Sequence, residues 1–208
     1  ALVGLAGFYL LRDPAGEPAN LPGGAGDPPA DQYGNPYEVG LAIQDRMFDT
    51  DGQLYFPAAG INPEHPFWVP EFFGDVILVN GKPWPYMNVE PRRYRFRIVN
   101  GSNARFYRMM LVDENPGADP PLWQIGTDGG LLDAPVRVSN PLDPQSVALL
   151  MSPGERADVI IDFAGFEGRA FTLTNDANAP YPDGDPIDPA NTGVIMQFRV
   201  GTSVTGGA

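Results

Sequence analysis

Residues that commonly bind metals or act as nucleophiles are scarce in this sequence. The chain of 208 residues contains no cysteine and a single histidine, His65. Zinc sites, blue-copper sites and Cys–His nucleophiles all require a thiolate or several imidazoles, so these residues cannot build any of them. A lone histidine with no second group to orient its ring is more typical of packing than of catalysis.

Carboxylates offer one further possibility for metal binding. Asp183, Asp185 and Asp188 cluster in the stretch DGDPIDP, and carboxylate oxygens suit a hard cation. The prolines between them are more typical of a surface turn. None of the serines lies in the Gly-x-Ser-x-Gly motif of serine hydrolases. We therefore assign no catalytic, cofactor-binding or metal-binding residue from the sequence.

Three aromatic side chains among prolines could form a binding platform. Trp68, Trp84 and Tyr86 have large apolar faces that could stack on a sugar or an aromatic ligand. Packing in the core or between domains would use the same faces. A stand-alone β-sandwich module that binds glycans or aromatics is therefore the alternative function.

The stretch RRYRFRIVNGS places several arginines in an otherwise acidic chain. Successive side chains of a strand point to opposite faces of the sheet. Tyr94, Phe96 and Ile98 would thus share one face, and Arg93, Arg95 and Arg97 the other. We expect the arginines to form a solvated outer face paired with carboxylates, and an anion-binding strip is the alternative.

The overall charge argues against two classes of partner. There are 26 acidic residues against 13 basic ones, which gives a net charge of -13. Such a chain repels nucleic acid and anionic membrane surfaces, and no apolar run approaches the ~20 residues that span a bilayer. The first residues, ALVGLAGFYLL, lack the basic start of a signal peptide and are typical of a segment of something longer.

Short strands separated by turn residues dominate the rest of the chain. The pattern predicts strands at 39–48, 53–56, 75–81, 93–101, 106–112, 147–151, 157–163, 170–176 and 193–200. Asp51 and Gly52 favour a hairpin turn between the first two. No stretch keeps a helical period, so we predict an all-β Greek-key sandwich or barrel. Residues 13–38, rich in proline and glycine, are predicted to be a linker.

Several of these blocks resemble one known family in sequence and in order. The blocks are GLAGFYLLRD (4–13), IQDRMFDTDGQLYFP (43–57), the stretch 68–107, QIGTDGGLL (124–132), LLMSPGERADVIIDF (149–163) and the stretch 172–200. They are similar to the multicopper oxidases, and most of all to the branch with bacterial spore-coat laccase, bilirubin oxidase and phenoxazinone synthase.

The resemblance implies a domain organisation. Members of the family have three cupredoxin-like domains, with blue copper in the third and a trinuclear copper cluster between the first and the third. Residues 1–12 would end the first domain and 13–38 would be the linker between domains. Residues 39–200 would then form the second, cupredoxin-like domain, and 201–208 would begin the linker to the third.

The resemblance also implies a role. The second domain of the family carries no copper ligands, so copper is expected in the parent protein and none in this chain. The parent would oxidise phenolic or aminophenolic substrates and reduce dioxygen to water, while this chain alone would not be catalytic. Its partners would be the flanking cupredoxin domains, with a homo-oligomer possible. An extracellular, periplasmic or spore-coat location is expected from the family.

Overall fold

The computed structural model describes residues 5–12, 17–18, 20–24, 26–56, 71–113, 119–138 and 147–206. The regular elements in these ranges are all strands, which confirms the all-β prediction. They are β1 (Glu38–Phe48), β2 (Leu54–Tyr55), β3 (Val76–Val79), β4 (Lys82–Pro83), β5 (Tyr86–Val89), β6 (Arg93–Asn100), β7 (Tyr107–Asp113), β8 (Leu122–Thr127), β9 (Gly130–Val138), β10 (Leu149–Met151), β11 (Arg156–Asp162), β12 (Ala170–Asn175) and β13 (Val194–Val200). No helix in this part of the chain is long and apolar enough to cross a membrane.

The strands form two sheets that share one hydrophobic core. The larger sheet has the order β4-β3-β1-β6-β11-β8-β9, with β2 paired to β1. The smaller sheet has the order β10-β7-β12-β13-β5. Strands β1 and β6 are parallel, as are β13 and β5, and the other pairs are antiparallel. Because the core cluster draws side chains from both sheets, they pack face to face as a sandwich.

The inner face of β6 lies at the centre of this core, as its alternation predicted. Tyr94, Phe96 and Ile98 are all buried. The ring of Phe96 lies 5.1 Å from that of Phe198, which belongs to the opposite sheet. Burying side chains of this size contributes about 1.5–3 kcal/mol each. The apolar half of β6 therefore joins the two sheets.

Every strand that the sequence predicted is present, and the Asp-Gly turn forms as predicted. Gly52 adopts a positive φ of 76°, and the carboxylate of Asp49 accepts hydrogen bonds from the backbone N–H groups of Asp51 and Gln53. This Asx-type turn lets β1 fold back onto β2.

Four strands had no sequence prediction. β4 and β5 are short and lie among prolines, so no run of β-forming residues marks them. β8 and β9 form a hairpin around the stretch GTDGG, and β9 is exposed along most of its length. An exposed strand lacks the alternation of apolar and polar residues on which prediction depends.

Candidate functional site

The outer face of β6 is the first of two polar clusters that could serve a function. The sequence predicted Arg93, Arg95 and Arg97 to be solvated there and paired with carboxylates. The pairing is confirmed, because Arg93 donates to Asp162 at 3.0 Å. The prediction of a solvated face is wrong for Arg95, which is only 1% exposed. We call the three arginines and their partners the arginine face.

Arg95 is held by acids on two different parts of the chain. Its Nε and Nη2 donate to the two carboxylate oxygens of Asp158 in β11, at 2.9 Å and 2.6 Å. Its Nη1 donates to Glu17, which lies in the Pro/Gly-rich segment 13–38. A bidentate pair fixes the orientation of the guanidinium as well as its charge. The buried cation therefore ties that segment to the middle of the sheet.

The N-terminal segment, residues 5–12, lies against this face of the sheet. A methyl group built on Gly40 of β1 would lie 2.8 Å from the ring of Phe8. One built on Gly101 would lie 2.9 Å from the side chain of Ala6. The two glycines thus leave the space in which the N-terminal segment lies against the sheet.

Further ion pairs extend this cluster towards the N-terminal segment. Arg97 donates to Glu38 at 2.7 Å and to Glu17 at 2.9 Å. Arg12 donates to both oxygens of Glu38, at 2.7 Å and 2.9 Å. Burial opposes the charge of Glu38, but the hydrogen bonds from Arg12 and Arg97 outweigh burial and lower its pKa below the ordinary value. Burial also opposes the charge of Glu17, but the hydrogen bond from Arg95 and the positive charges of Arg95, Arg97 and Arg12 together lower its pKa.

The second cluster surrounds the buried carboxylate of Glu90, which follows β5. Gln32 N donates to Oε1 at 2.9 Å, and the backbone N–H and hydroxyl of Thr205 donate to the same oxygen at 2.9 Å and 2.5 Å. Tyr37 donates to Oε2 at 2.9 Å. Burial would raise the pKa of Glu90, but the hydrogen bonds from Thr205, Gln32 and Tyr37 outweigh it and lower the pKa. We call Glu90 with these three partners the glutamate clamp.

Hydrogen bonds through Tyr94 connect the glutamate clamp to a second buried carboxylate, that of Asp31. The backbone N–H of Glu90 donates to the hydroxyl of Tyr94 at 2.9 Å. That hydroxyl donates in turn to Asp31 at 2.6 Å. Asp31 also accepts from the backbone N–H groups of Tyr33 and Asn35. A buried network in which each member has partners specifies one arrangement of the chain.

The C-terminal segment, residues 201–206, is therefore joined to the Pro/Gly-rich segment. Besides Thr205 on Glu90, Gln32 donates to the carbonyl of Ser203 at 2.7 Å. A methyl group built on Gly201 would lie 2.1 Å from the hydroxyl oxygen of Tyr33. The polypeptide that leads into the sandwich and the polypeptide that leaves it thus lie side by side.

The remaining candidates from the sequence do not form a site in the described residues. Asp188 accepts from Ala190 N and from Asn191, as the turn interpretation expects. No group of three His, Cys, Asp or Glu side chains that could hold a metal occurs in the described part of the chain. His65 and Trp68 lie outside the described residues. Trp84 is 38% exposed and Tyr86 is 57% exposed.

Copper does not fit the donor atoms that this sequence offers. A blue-copper site needs a thiolate together with imidazoles, and the chain has no cysteine and one histidine. What the two clusters can do is hold segments of polypeptide in fixed positions.

Sequence reasoning missed the glutamate clamp. Glu90 is an ordinary acidic residue in proline-rich surroundings, and the partners that form the clamp with it, Gln32, Tyr37 and Thr205, are far away in sequence. Asp31 has near neighbours as partners, but its bond from Tyr94 spans 63 positions. The stretch Asn100-Gly101-Ser102 matches the sequence pattern of a glycan acceptor. The amide of Asn100 is buried and donates to the carbonyls of Arg105 and Met151.

The chain is similar to multicopper oxidases, although no family model matches it. The multicopper oxidase LPR1 of Arabidopsis thaliana is 44% identical over 201 residues, which are 96% of this chain and 30% of that protein. The laccase of Bacillus subtilis is 41% identical over 201 residues, which are 95% of this chain and 34% of that one.

Solved structures of multicopper oxidases and laccases are also similar to this chain. The crystal structure of McoA multicopper oxidase from Aquifex aeolicus matches with a TM-score of 0.61 at 38% identity, over 79% of this chain and 31% of that chain. A laccase from Pediococcus acidilactici matches with a TM-score of 0.55 at 29% identity, over 79% of this chain and 28% of that one. The chain thus spans about a third of the length of the relatives that it matches.

Proposed function

This chain belongs to the multicopper oxidase family, and we propose that it is the middle domain of a larger oxidase, where it positions the flanking copper-bearing domains. The parent protein would carry out a laccase-like oxidation of phenolic or aminophenolic substrates with dioxygen as the acceptor. The share of the relatives that the chain spans supports a role as one domain of several.

The observation that carries the proposal is the glutamate clamp. One buried carboxylate binds Gln32, on the side that leads into the sandwich, and Thr205, on the side that leaves it. Hydrogen bonds to a charged group are worth about 1.5–3 kcal/mol each. Because both segments are fixed to Glu90, the domains that they lead to would start from fixed positions on one body.

Fixed positions matter because the rate of a catalysed reaction depends steeply on geometry. A displacement of about 1 Å in a reacting arrangement can cost about 100-fold in rate. If a trinuclear copper cluster is shared between the first and the third domain, the middle domain sets the distance between the two halves of that cluster. The arginine face would add a second point of fixation, since Glu17 and Arg12 are held on the sheet.

The first test is the sequence of the encoding gene on both sides of this segment. His-x-His motifs upstream and a His-Cys-His motif downstream are expected. A gene that codes for neither would leave no domains to position and would contradict the proposal.

The second test is the substitution Glu90→Gln in the parent oxidase. The amide keeps the shape of the side chain but loses the charge, and its NH2 group cannot accept a hydrogen bond. We expect a loss of oxidase activity of up to about 100-fold, with the blue colour of the Cu–thiolate site retained. The measurements are the turnover number, the copper content and the visible spectrum.

Glu155→Gln is the matched control. Glu155 also accepts a backbone N–H, from Ser152 at 2.6 Å, but it lies in an exposed turn between β10 and β11. It is expected to leave activity unchanged. Equal activity of the parent protein and the Glu90→Gln variant would refute the positioning role of the clamp.

A further inference from the structure

We propose that a chloride ion binds at one end of the sandwich, where Arg46 near the end of β1 meets the segment 101–106 that joins β6 to β7. The site shares no residue with the arginine face or the glutamate clamp, and it does not depend on copper. Its role would be to balance a buried positive charge and to hold the end of β1 against the segment 101–106.

A cluster of buried polar side chains forms this end of the sandwich. None of its members is more than 7% exposed. They are Asp45, Arg46, Ser102, Arg105 and Tyr107. The backbone N–H of Asp45 donates to the hydroxyl of Ser102 at 3.1 Å, and the hydroxyls of Ser102 and Tyr107 lie 3.0 Å apart. We call these five residues the Arg46 cluster.

The Arg46 cluster contains two guanidinium groups and one carboxylate. Nε of Arg105 donates to Oδ2 of Asp45 at 3.0 Å, and the backbone N–H of Gly74 donates to the same oxygen at 2.7 Å. Nη2 of Arg105 donates to the carbonyl of Gly74 at 2.7 Å. The negative charge of Asp45 is therefore matched by that of Arg105. One positive charge is left over, and a buried charge is stable only when it is paired.

Arg46 carries the charge that is left over. Its Nη1 donates to the backbone carbonyl of Asp45 at 2.6 Å. Its Nη2 is buried and has no hydrogen-bond partner among the described residues. Burial lowers the pKa of Arg46, and the negative charges of Asp45 and Tyr107 do not offset this effect. A buried charged donor without an acceptor is costly, so an acceptor with a negative charge is expected at Nη2.

The segment 101–106 supplies a second donor. Nδ2 of Asn103 is buried and also has no partner in the part of the chain that the structure describes. Asn103 lies in sequence between Ser102 and Arg105, which both contact Asp45. Oδ1 of Asp45 is a further buried atom without a partner, but it is an acceptor and repels an anion. We therefore place the ion at Nη2 of Arg46, with the amide of Asn103 as the second donor.

Charge and burial together select a small monovalent anion. A single negative charge balances the one positive charge that is left over, whereas a water molecule would leave it unbalanced. Sulfate and phosphate have more acceptor oxygens than two donors can satisfy, and a site this buried would desolvate all of them. Chloride meets both conditions, because it is monatomic and carries one charge.

The first test is anomalous diffraction from crystals of the full parent protein grown in sodium bromide without chloride. Bromide binds to the same donors as chloride and is located by its anomalous signal. A bromide peak is expected in contact with Nη2 of Arg46, and the variant Arg46→Met should lose it. Arg199→Met is the matched control. Arg199 also makes no ion pair with the described residues, but it is exposed and stacks on Tyr86 at 3.7 Å, so this variant should keep the peak.

The second test is hydrogen exchange of the parent protein in solution. Backbone amides of residues 43–48 and 101–106 should exchange more slowly in sodium chloride than in sodium gluconate of equal ionic strength. The exchange rate should fall in proportion to one plus the ratio of the chloride concentration to its dissociation constant. Amides of β12 should not respond. Should Arg46→Met fail to fold, the chloride dependence of the unaltered protein still decides the question.

Four results would overturn the inference. Ordered density beside Arg46 without an anomalous signal would identify a water molecule. A carboxylate of the parent chain bound to Nη2 would supply the missing charge from within the protein. A bromide peak that persists in Arg46→Met would remove Arg46 from the site. Exchange rates of residues 43–48 and 101–106 that are equal in chloride and gluconate would mean that no chloride binds there.

Discussion

Replacing Arg95 by methionine should destabilise the sandwich far more than the same change at Arg93. The two residues lie on the same face of β6, two positions apart, and each pairs with an acid of β11. Arg95 is 1% exposed, whereas the side chain of Arg93 is 67% exposed. Arg93→Met is therefore a control that differs mainly in burial.

The magnitude follows from what each substitution leaves behind. Asp158 is only 7% exposed in the structure, and without Arg95 its carboxylate would lose its bidentate partner and keep Arg97 Nη1, at 3.6 Å. Breaking a buried pair by removing one charge costs about 3–5 kcal/mol. Breaking an exposed pair such as Arg93–Asp162 costs about 0–1 kcal/mol.

Urea denaturation followed by tryptophan fluorescence measures the difference. With a slope near the upper end of the usual ~1–3 kcal/mol per molar urea, Arg95→Met should lower the midpoint by about 1 M or more. Arg93→Met should change it little. The double variant Arg95→Met/Asp158→Leu should recover part of the loss, because no buried charge is left without a partner.

Two results would refute this reasoning. Equal midpoints for the Arg93→Met and Arg95→Met variants would mean that burial of the arginine contributes nothing. A double variant no more stable than Arg95→Met would mean that the uncompensated carboxylate is not the source of the loss.

The arginine face and the contact of Tyr33 with the C-terminal segment give two further predictions. Because the folded-state pKa of Glu38 is lowered, its contribution to stability is present above the ordinary pKa of about 4.3 and is lost as pH falls through the folded pKa. Glu38→Gln should therefore cost stability at pH 7 and progressively less towards pH 3, and a cost independent of pH would contradict this. Gly201→Ala should destabilise by about 1 kcal/mol, at the low end for overpacking, because its methyl group meets the hydroxyl of Tyr33, a side chain that is 41% exposed and can shift. Gly129→Ala, where nothing lies within 4 Å of the added atom, is the control, and equal melting temperatures of the two variants would rule out the close contact.

Elements that are encoded by neighbouring residues could be predicted from the sequence, whereas others could not. The alternation in β6 and the Asp-Gly turn are encoded by neighbouring residues, and both formed as predicted. The hairpin of β8 and β9 was missed, because an exposed strand can carry almost any residue on its faces. Local patterns thus report the core and the tight turns more reliably than the surface.

The sequence predicted the arrangement of the arginine face only in part. Alternation placed Arg93, Arg95 and Arg97 on one face, and pairing with carboxylates was the expected outcome. Which of them would be buried depends on the distant acids that bind them, since Arg95 pairs with Asp158, 63 positions away, and with Glu17, 78 positions away. No local pattern around the arginines carries that information.

The sequence by itself determined the fold class, the family resemblance and the lack of the thiolate that a blue-copper site needs, because each depends on residue types and their order. Only the tertiary structure decided that Glu90 joins Gln32 to Thr205 and that the N-terminal segment lies against the arginine face. The reason is physical. A buried charge is stabilised by whichever donors the folded chain brings to it, and these donors lie 58 and 115 positions away from Glu90.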